Sequence, residues 1–420
     1  MRRLLTLTLL VPVICGLFLS CTSQEQKRQA RLPQAIRPTP PAPVPPPKLY
    51  QYARPNLDFL GMEQVWERPL IDKDAPTVRD AYLLGNYYLI ETNTRRLCGF
   101  NRISGRPEFV ASLEDPTDVR CGEDEDYVYA VARNVLYAID KRSFIAWRKY
   151  LDYSPSSQLI ADENNIYMGC YDGTVRAFFK SGRYFEWQYG TYAAVSARPA
   201  AGSRFIYAAS EDNTVYALSP VDGKRQWQFK TLDPIRANPA YAAAEHRVLV
   251  ASTDGSLYAL YDSPQGNTRE SQMAWLAPYP TGAGILKTPI VASGIVYVIN
   301  ENHECHAVDL ANGRSKWVLK NISSFIARGD HNVYLLRGTN TILAVDPTSG
   351  NARWALDTAS LAVSRTLTNT TDGNIYLMRS DGSTILLREH QLQTPKAPEA
   401  APKSPEAAPD VPEAAPEKSE

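Results

Sequence analysis

The stretch NTVYALSPVDGKRQW, from Asn213 to Trp227, decides the fold of this chain. It opens with a short β-like segment, turns at Asp222-Gly223 and continues into a second segment that opens at Trp227. Apolar segments of this length on either side of a glycine-containing turn are typical of a β-hairpin. The stretch therefore predicts two antiparallel strands joined by a tight turn.

The same pattern recurs along the middle of the chain, and another apolar segment precedes each copy. The clearest copies are HAVDLANGRSKW at 306–317, TILAVDPTSGNARW at 341–354, GSLYAL at 255–260 and GTVRAF at 173–178. Self-similarity at a fixed period indicates a repeat architecture, in which each unit buries its apolar faces against its neighbours. We therefore expect an array of small β-sheets.

The tryptophans give the number of repeats. Six of them recur every 37 to 48 residues, at Trp147, Trp187, Trp227, Trp275, Trp317 and Trp354. Phe109 takes this place in an earlier copy, Trp66 precedes the first hairpin, and the last copy, at 375–387, lacks a tryptophan strand. A ring in which the strand around Trp66 completes the final blade solves both irregularities, at about 42 residues per blade for residues 57–391. We predict an all-β, eight-bladed β-propeller closed by an N-terminal strand, with all seven tryptophans as packing residues between blades.

Low-complexity segments flank this unit. Residues 22–55 hold nine prolines and a net charge of +5, and residues 394–420 repeat PEAAP with a net charge of −3. Such compositions cannot bury a core, so we expect a proline-rich tether and a disordered tail. The predicted organisation is a signal peptide at 1–21, the tether at 22–55, the propeller at 56–393 and the tail at 394–420.

The first 21 residues have the features of a secretory signal. Arg2 and Arg3 precede an apolar run that ends at Ser20 and Cys21, which is too short to span a bilayer as a helix. The stretch FLSC resembles a bacterial lipobox, and this resemblance implies that Cys21 is the lipid attachment site. Ordinary signal-peptide cleavage that leaves Cys21 as a thiol is the alternative. Thr22 follows in place of aspartate, which favours the outer membrane.

The repeat itself resembles a known family. The pattern Asp-Gly-x-Leu-Tyr-Ala-Leu followed by Gly-x-x-x-Trp is similar to the repeat of quinoprotein (PQQ-type) propellers, over residues 57–391. One branch of that family comprises PQQ-dependent dehydrogenases, and the other comprises non-catalytic lipoproteins of the BamB type, which belong to the outer-membrane β-barrel assembly machine. The signal, the lipobox-like cysteine and the single ring resemble the second branch.

The sequence does not favour an enzyme, a cofactor or a metal site. The dehydrogenase branch carries adjacent cysteines and a tryptophan under the cofactor, whereas this chain has no Cys-Cys pair and uses every tryptophan at a blade position. The segments His303–His306 and Glu123–Asp126 contain possible ligands. We interpret the first as structural and the second as a solvated loop. The zero net charge excludes a dedicated nucleic-acid binder.

Four cysteines remain after Cys15 and Cys21: Cys98, Cys121, Cys170 and Cys305. An envelope compartment permits disulfides, and four cysteines allow three full pairings. Proximity along the chain singles out Cys98 and Cys121 as the first pair to test, and buried thiols are the alternative.

The resemblance implies a monomeric propeller that is anchored in the outer membrane, faces the periplasm and acts as a scaffold in β-barrel assembly. We expect the membrane and proteins of the assembly machinery as partners, with docking loops at Tyr192–Pro199 and Thr281–Pro289. A cell-envelope protein- or wall-binding adaptor that uses the tail is the second hypothesis, and a quinoprotein enzyme is the third.

Overall fold

The computed structural model describes residues 46–70, 77–142 and 144–390. The signal, residues 22–45 of the tether and the tail from 394 lie outside this part, so those assignments, Cys21 included, remain predictions. Within it, no helix is long and apolar enough to cross a membrane.

The described part opens with three elements that precede the first complete blade. They are strand β1 (Leu49–Gln51), helix α1 (Arg54–Phe59) and strand β2 (Met62–Arg68). Proline in the first turn of α1 suits a helix start, because the amide hydrogen that proline lacks would have no partner there.

Seven sheets follow in chain order, each with its strands in sequential antiparallel order from the centre outward. Blade 1 contains β3 (Val78–Leu84), β4 (Tyr87–Thr92), β5 (Arg96–Asn101) and β6 (Pro107–Ser112). Blade 2 contains β7 (Thr117–Glu123), β8 (Tyr127–Ala132), β9 (Val135–Asp140) and β10 (Phe144–Tyr150). Blade 3 contains β11 (Ile160–Ala161), β12 (Asn165–Gly169), β13 (Thr174–Phe179) and β14 (Tyr184–Gly190). Blade 4 contains β15 (Ala200–Ala201), β16 (Ile206–Ala209), β17 (Thr214–Leu218) and β18 (Arg225–Lys230).

The second half repeats this plan with one insertion. Blade 5 contains β19 (Ala240–Ala242), β20 (Arg247–Ala251), β21 (Ser256–Tyr261), the short helix α2 (Arg269–Gln272) and β22 (Tyr279–Pro280). Blade 6 contains β23 (Ile290–Ala292), β24 (Ile295–Ile299), β25 (Cys305–Asp309) and β26 (Ser315–Leu319). Blade 7 contains β27 (Ile322–Arg328), β28 (Val333–Arg337), β29 (Thr341–Val345) and β30 (Ala352–Asp357). A 3₁₀ turn (Ala359–Leu361) leads to β31 (Val363–Leu367), β32 (Ile375–Arg379) and β33 (Thr384–Glu389).

The ring closes as the sequence predicts. Strand β2 pairs antiparallel with β33, from Met62 opposite Glu389 to Arg68 opposite Thr384, and so becomes the outer strand of blade 8. The eight-bladed all-β propeller, closed by an N-terminal strand, is therefore confirmed.

The expected tether is shorter at its C-terminal end than predicted. Residues 49–51 form β1, which pairs in parallel with the outer strand β30 of blade 7, and Leu57 of α1 is fully buried. Leu49 and Tyr50 follow the prolines, and their backbone can satisfy the open edge of β30. The folded unit thus includes residues that we expected in an extended linker.

The hydrophobic core lies between the blades. Eight separate clusters of buried side chains each join one blade to the next, including the pair formed by blades 8 and 1. Among the described residues, ten of the twelve largest fully buried side chains are tyrosines, which gives a packing role to ten of the 24 tyrosines. Several of their hydroxyls donate to aspartates in turns, as Tyr216 does to Asp212 at 2.7 Å, so the rings can be buried without losing hydrogen bonds.

Candidate docking face and central channel

Three successive loops between blades share one sequence pattern. Each begins with threonine, has Val or Ile four residues later and has Pro eight residues later. They are residues 191–199, 231–239 and 281–289, and we call them the threonine loops. The expected docking loops are the first and the third. The middle loop was missed, although the Thr-x-x-x-Val/Ile-x-x-x-Pro spacing could have identified it.

Each threonine holds its loop against the preceding blade. The backbone N–H of Thr191, Thr231 and Thr281 donates to a turn carbonyl at 2.7–2.8 Å. Each hydroxyl lies 2.7–3.0 Å from two carbonyl oxygens. The side chains at the fourth position after each threonine, Val195, Ile235 and Ile285, are fully buried. Hydrogen bonds and an apolar anchor together fix the backbone of all three loops.

Two large apolar side chains project from this fixed backbone. Tyr192 is 94 % exposed and Leu232 is 72 % exposed, at the same position of neighbouring loops. Their backbone amides donate to Asp212 at 2.9 Å and to Asp254 at 3.1 Å. A rigid loop that presents an exposed aromatic or aliphatic side chain loses little conformational entropy when a partner covers it.

Side-chain bonds connect the loops to one another. Glu211 accepts from the hydroxyl of Ser196 in the first loop at 2.8 Å and lies 3.4 Å from Nε of Arg236 in the second. Asn238 accepts from the backbone of Arg198 at 2.8 Å and donates to Thr288 in the third loop at 2.9 Å. The three loops therefore form one continuous face.

The residue before each loop's proline lies at the mouth of the central channel. Arg198, Asn238 and Thr288 line a cavity of about 670 Å³ together with residues from the inner strands of the other blades. Charged side chains in its wall are Arg120, Arg198, Lys287, Arg365 and Asp80. Sequence reasoning missed this group, because its members come from distant inner strands (Arg120 and Arg365) and from the loops that lead into them (Arg198 and Lys287).

The tryptophans lie at the interfaces between blades. Trp66, Trp187, Trp227, Trp275 and Trp317 donate their indole N–H at 2.7–3.0 Å to a backbone carbonyl of the following blade. Trp147 packs against Phe178 of the next blade, and Trp354 packs in the cluster between blades 7 and 8. Six of the seven lie on outer strands, and Trp275 precedes its outer strand in the insertion of blade 5.

Glycine in the next blade makes room for these rings. The turn glycine Gly223 has a φ of +67°, and a Cβ there would lie 2.4 Å from the Trp187 ring. Gly105, Gly313 and Gly350 stand in the same relation to Trp66, Trp275 and Trp317. The repeated Gly and Trp of the sequence are thus the two halves of one contact between blades.

The disulfide expected between Cys98 and Cys121 is not formed. Cys98 packs in the cluster between blades 8 and 1, and Cys121 packs in the cluster between blades 1 and 2. The two side chains therefore face different interfaces of the ring. Burial raises the pKa of the Cys121 thiol well above its usual value, and the low reactivity of a buried protonated thiol suits a packing residue.

The segments His303–His306 and Glu123–Asp126 make structural contacts. The interpretation of the second as a solvated loop is wrong for Glu123 and Asp124, which pair with Lys141 and Lys180 and have side chains only 17 % and 14 % exposed. His303 lies in a turn with a φ of +58° rather than in the strand, and the buried ring of His306 lies 3.0 Å from the hydroxyl of Tyr279. Burial lowers the pKa of His306. Asp124 accepts from Tyr129 and Lys180, both at 2.6 Å. Within the residues that the structure describes, no three His, Cys, Asp or Glu side chains converge as metal ligands.

Comparisons with known proteins agree with this architecture. The BamB crystal structure from Moraxella catarrhalis superposes with a TM-score of 0.61 at 16% identity, covering 78% of this chain and 97% of that one. The computationally designed Ika8 protein superposes with a TM-score of 0.60 at 12% identity, covering 76% and 98%. At these identities the likeness concerns the fold. No curated protein matches the sequence.

A family model described as outer membrane protein assembly factor BamB matches residues 133–356 and 271–391. Together these matches span more than half of the chain, including all three threonine loops. With its PQQ-like repeats and eight blades, the chain belongs to the BamB family.

Proposed function

We propose that this protein is a non-catalytic, membrane-anchored scaffold that takes part in outer-membrane β-barrel assembly by docking through its threonine-loop face. The observation that carries the proposal is the fixed backbone of three connected loops, from which Tyr192 and Leu232 project into solvent. Exposed aromatic and aliphatic side chains on a rigid surface are typical of protein-binding sites. Family membership supports a partner within the assembly machinery.

The anchor and the location are part of the same proposal. A lipid on Cys21 would hold the propeller at the periplasmic side of the outer membrane, at the end of the residues expected to form a tether. We assign no cofactor to this role, because docking needs only the surface of the ring.

A pull-down from solubilised envelope tests the proposal. The full-length protein is compared with a Tyr192→Glu/Leu232→Glu variant and with a Val221→Glu control. Val221 is 78 % exposed in the turn between β17 and β18 of blade 4. This turn lies on the face of the blade opposite to the threonine loops. We expect wild type and control to co-purify barrel-assembly components, and the double variant to lose them.

Two results would contradict the proposal. One is the absence of assembly components with wild-type protein, and the other is equal loss in the Val221→Glu control. Loss of partners after deletion of residues 394–420 alone would instead favour the envelope adaptor, whose partner would bind the tail.

A further inference from the structure

The wall of the central channel carries more positive than negative charge. Four basic side chains, Arg120, Arg198, Lys287 and Arg365, face one acidic side chain, Asp80. Nε of Arg120 lies 2.8 Å from Asp80 Oδ2, and the guanidinium of Arg365 donates to Oδ1 of the same carboxylate. One carboxylate thus serves two arginines, and the lining has a net charge of +3.

Arg198 and Lys287 have no acidic partner within the described part of the chain. The ammonium of Lys287 donates to the backbone carbonyl of Ser323. Burial and, secondly, the charge of Arg120 lower the pKa of Arg198, and burial lowers the pKa of Lys287. Desolvating these two cations, and placing Arg198 near Arg120, is therefore unfavourable without a counter-charge.

Several polar atoms of the lining are also left without hydrogen bonds. Among the described residues, Nε of Arg198, the hydroxyl of Tyr297 and the hydroxyl of Ser324 are buried and have no partner. All three residues line the cavity. Buried polar groups in proteins are nearly always satisfied, so these atoms favour a polar partner at this wall of the cavity. Each of these groups can donate a proton, and the ligand they fit is an acceptor.

The position of Arg198 is set by the loops. Its backbone N–H donates to Asn238, which in turn donates to Thr288, so residues from three blades hold the mouth of the channel in place. The cavity of about 670 Å³ falls within the range of roughly 300–1,000 Å³ that is usual for small-molecule sites.

We propose that the channel mouth binds a small anion with two or more negative charges, a polycarboxylate or a phosphate, through Arg198, Lys287 and the arginines that share Asp80. The docking residues Tyr192 and Leu232 are not part of this site, because they are exposed and do not line the cavity. The proposal does not depend on the assembly role.

Calorimetric titration of the full-length protein in detergent tests this site. The probes are citrate and inorganic phosphate, with acetate as a monovalent probe, all at one ionic strength. The variants are Arg198→Gln and Lys287→Gln, with Arg204→Gln as the matched control. Arg204 belongs to the same blade as Arg198 and is exposed in the turn between β15 and β16.

We expect saturable binding of citrate or phosphate at one site per chain and at least tenfold weaker binding of acetate. Arg198→Gln and Lys287→Gln should each weaken binding at least tenfold, and Arg204→Gln should leave it unchanged. Melting curves without anion establish that each variant is folded. Stronger citrate than phosphate binding identifies carboxylates as the natural class, and the reverse identifies phosphates.

Three outcomes would overturn the proposal. The first is no saturable binding of either multivalent anion, and the second is equal weakening by Arg204→Gln. The third is binding that appears only after residues 394–420 are deleted, since the acidic tail of the chain would then be the occupant of the channel.

Discussion

Blade 4 and blade 8 have the same four-stranded plan, but their outer strands are attached in different ways. In blade 4 the turn that contains Gly223 joins β17 to β18, whereas in blade 8 the outer strand β2 arrives from the other end of the folded unit. Both pairings shift register beside the tryptophan, at Trp227 and at Trp66. The pairing geometry is therefore independent of whether a turn connects the two strands.

Two ion pairs connect β2, which no turn joins to blade 8, to β33 and β32. Glu63 of β2 accepts from Arg388 of β33 at 2.6 Å, and Glu67 accepts from Arg379. Arg102 in blade 1 is only 4 % exposed and reaches Asp372 of blade 8 at 2.9 Å. The comparison teaches that apolar packing and the Gly-Trp contact hold ordinary blades, and that the closing blade adds directional polar contacts in place of a covalent turn.

The largest effect is expected at the closing blade. Asp372→Ala should lower the free energy of unfolding by about 3 kcal/mol, because the buried guanidinium of Arg102 loses its carboxylate. The loss is at the lower end for a buried pair, because Asp372 is itself 38 % exposed and Arg102 keeps its bonds to Asn369 and Gly85. Urea unfolding of the full-length protein gives this value. Asp222→Ala, which removes a carboxylate from the exposed turn of blade 4, should cause little change, and equal losses in the two variants would refute the contrast.

The Gly-Trp contact of the ordinary blades can be tested next. Gly223→Ala should cost about 2–3 kcal/mol, since the new methyl group meets the Trp187 ring and the backbone has a positive φ. Gly282→Ala isolates the backbone part, because Gly282 has a φ of +84° and open space around its Cβ position. We expect about 1 kcal/mol for it. Equal unfolding free energies for the two variants would show that the contact with tryptophan contributes nothing.

The smallest effect is expected in the loops between blades. Thr231→Val should cost about 1 kcal/mol, because the hydroxyl near the carbonyls of Asn213 and Asp233 is lost. Thr358→Val, in the loop that leads into blade 8, removes contact with one carbonyl, that of Asn340, and should cost less. Hydrogen exchange should rise across residues 231–239 in the first variant, and unchanged exchange there would contradict the role of the threonine.

Local patterns were sufficient for the architecture of the ring. A hairpin is specified by neighbouring residues, so the Asp-Gly turn at Gly223 and the strand that contains Trp227 could be recognised from the chain alone. The unmatched strand at Trp66 and the incomplete copy at 375–387 complement each other, which made closure the economical solution. These predictions succeeded because strand period and turn chemistry act over about ten residues.

The pairing of cysteines and the end of the tether could not be obtained in this way. Cys98 and Cys121 are close in sequence, yet their side chains face different interfaces between blades. Strand β1 is ordered because the edge of β30, about 300 residues later, offers it backbone partners. In both cases the deciding neighbour comes from a distant part of the chain.

The sequence by itself determined the number of blades, the position of the tryptophans and the strand that closes the ring, because these depend on short-range periodicity. Only the tertiary structure decided which residues meet in the channel. Arg120, Arg198, Lys287 and Arg365 belong to inner strands of four different blades or to the loops that lead into them, and they line one cavity because the closed ring turns these segments toward one axis.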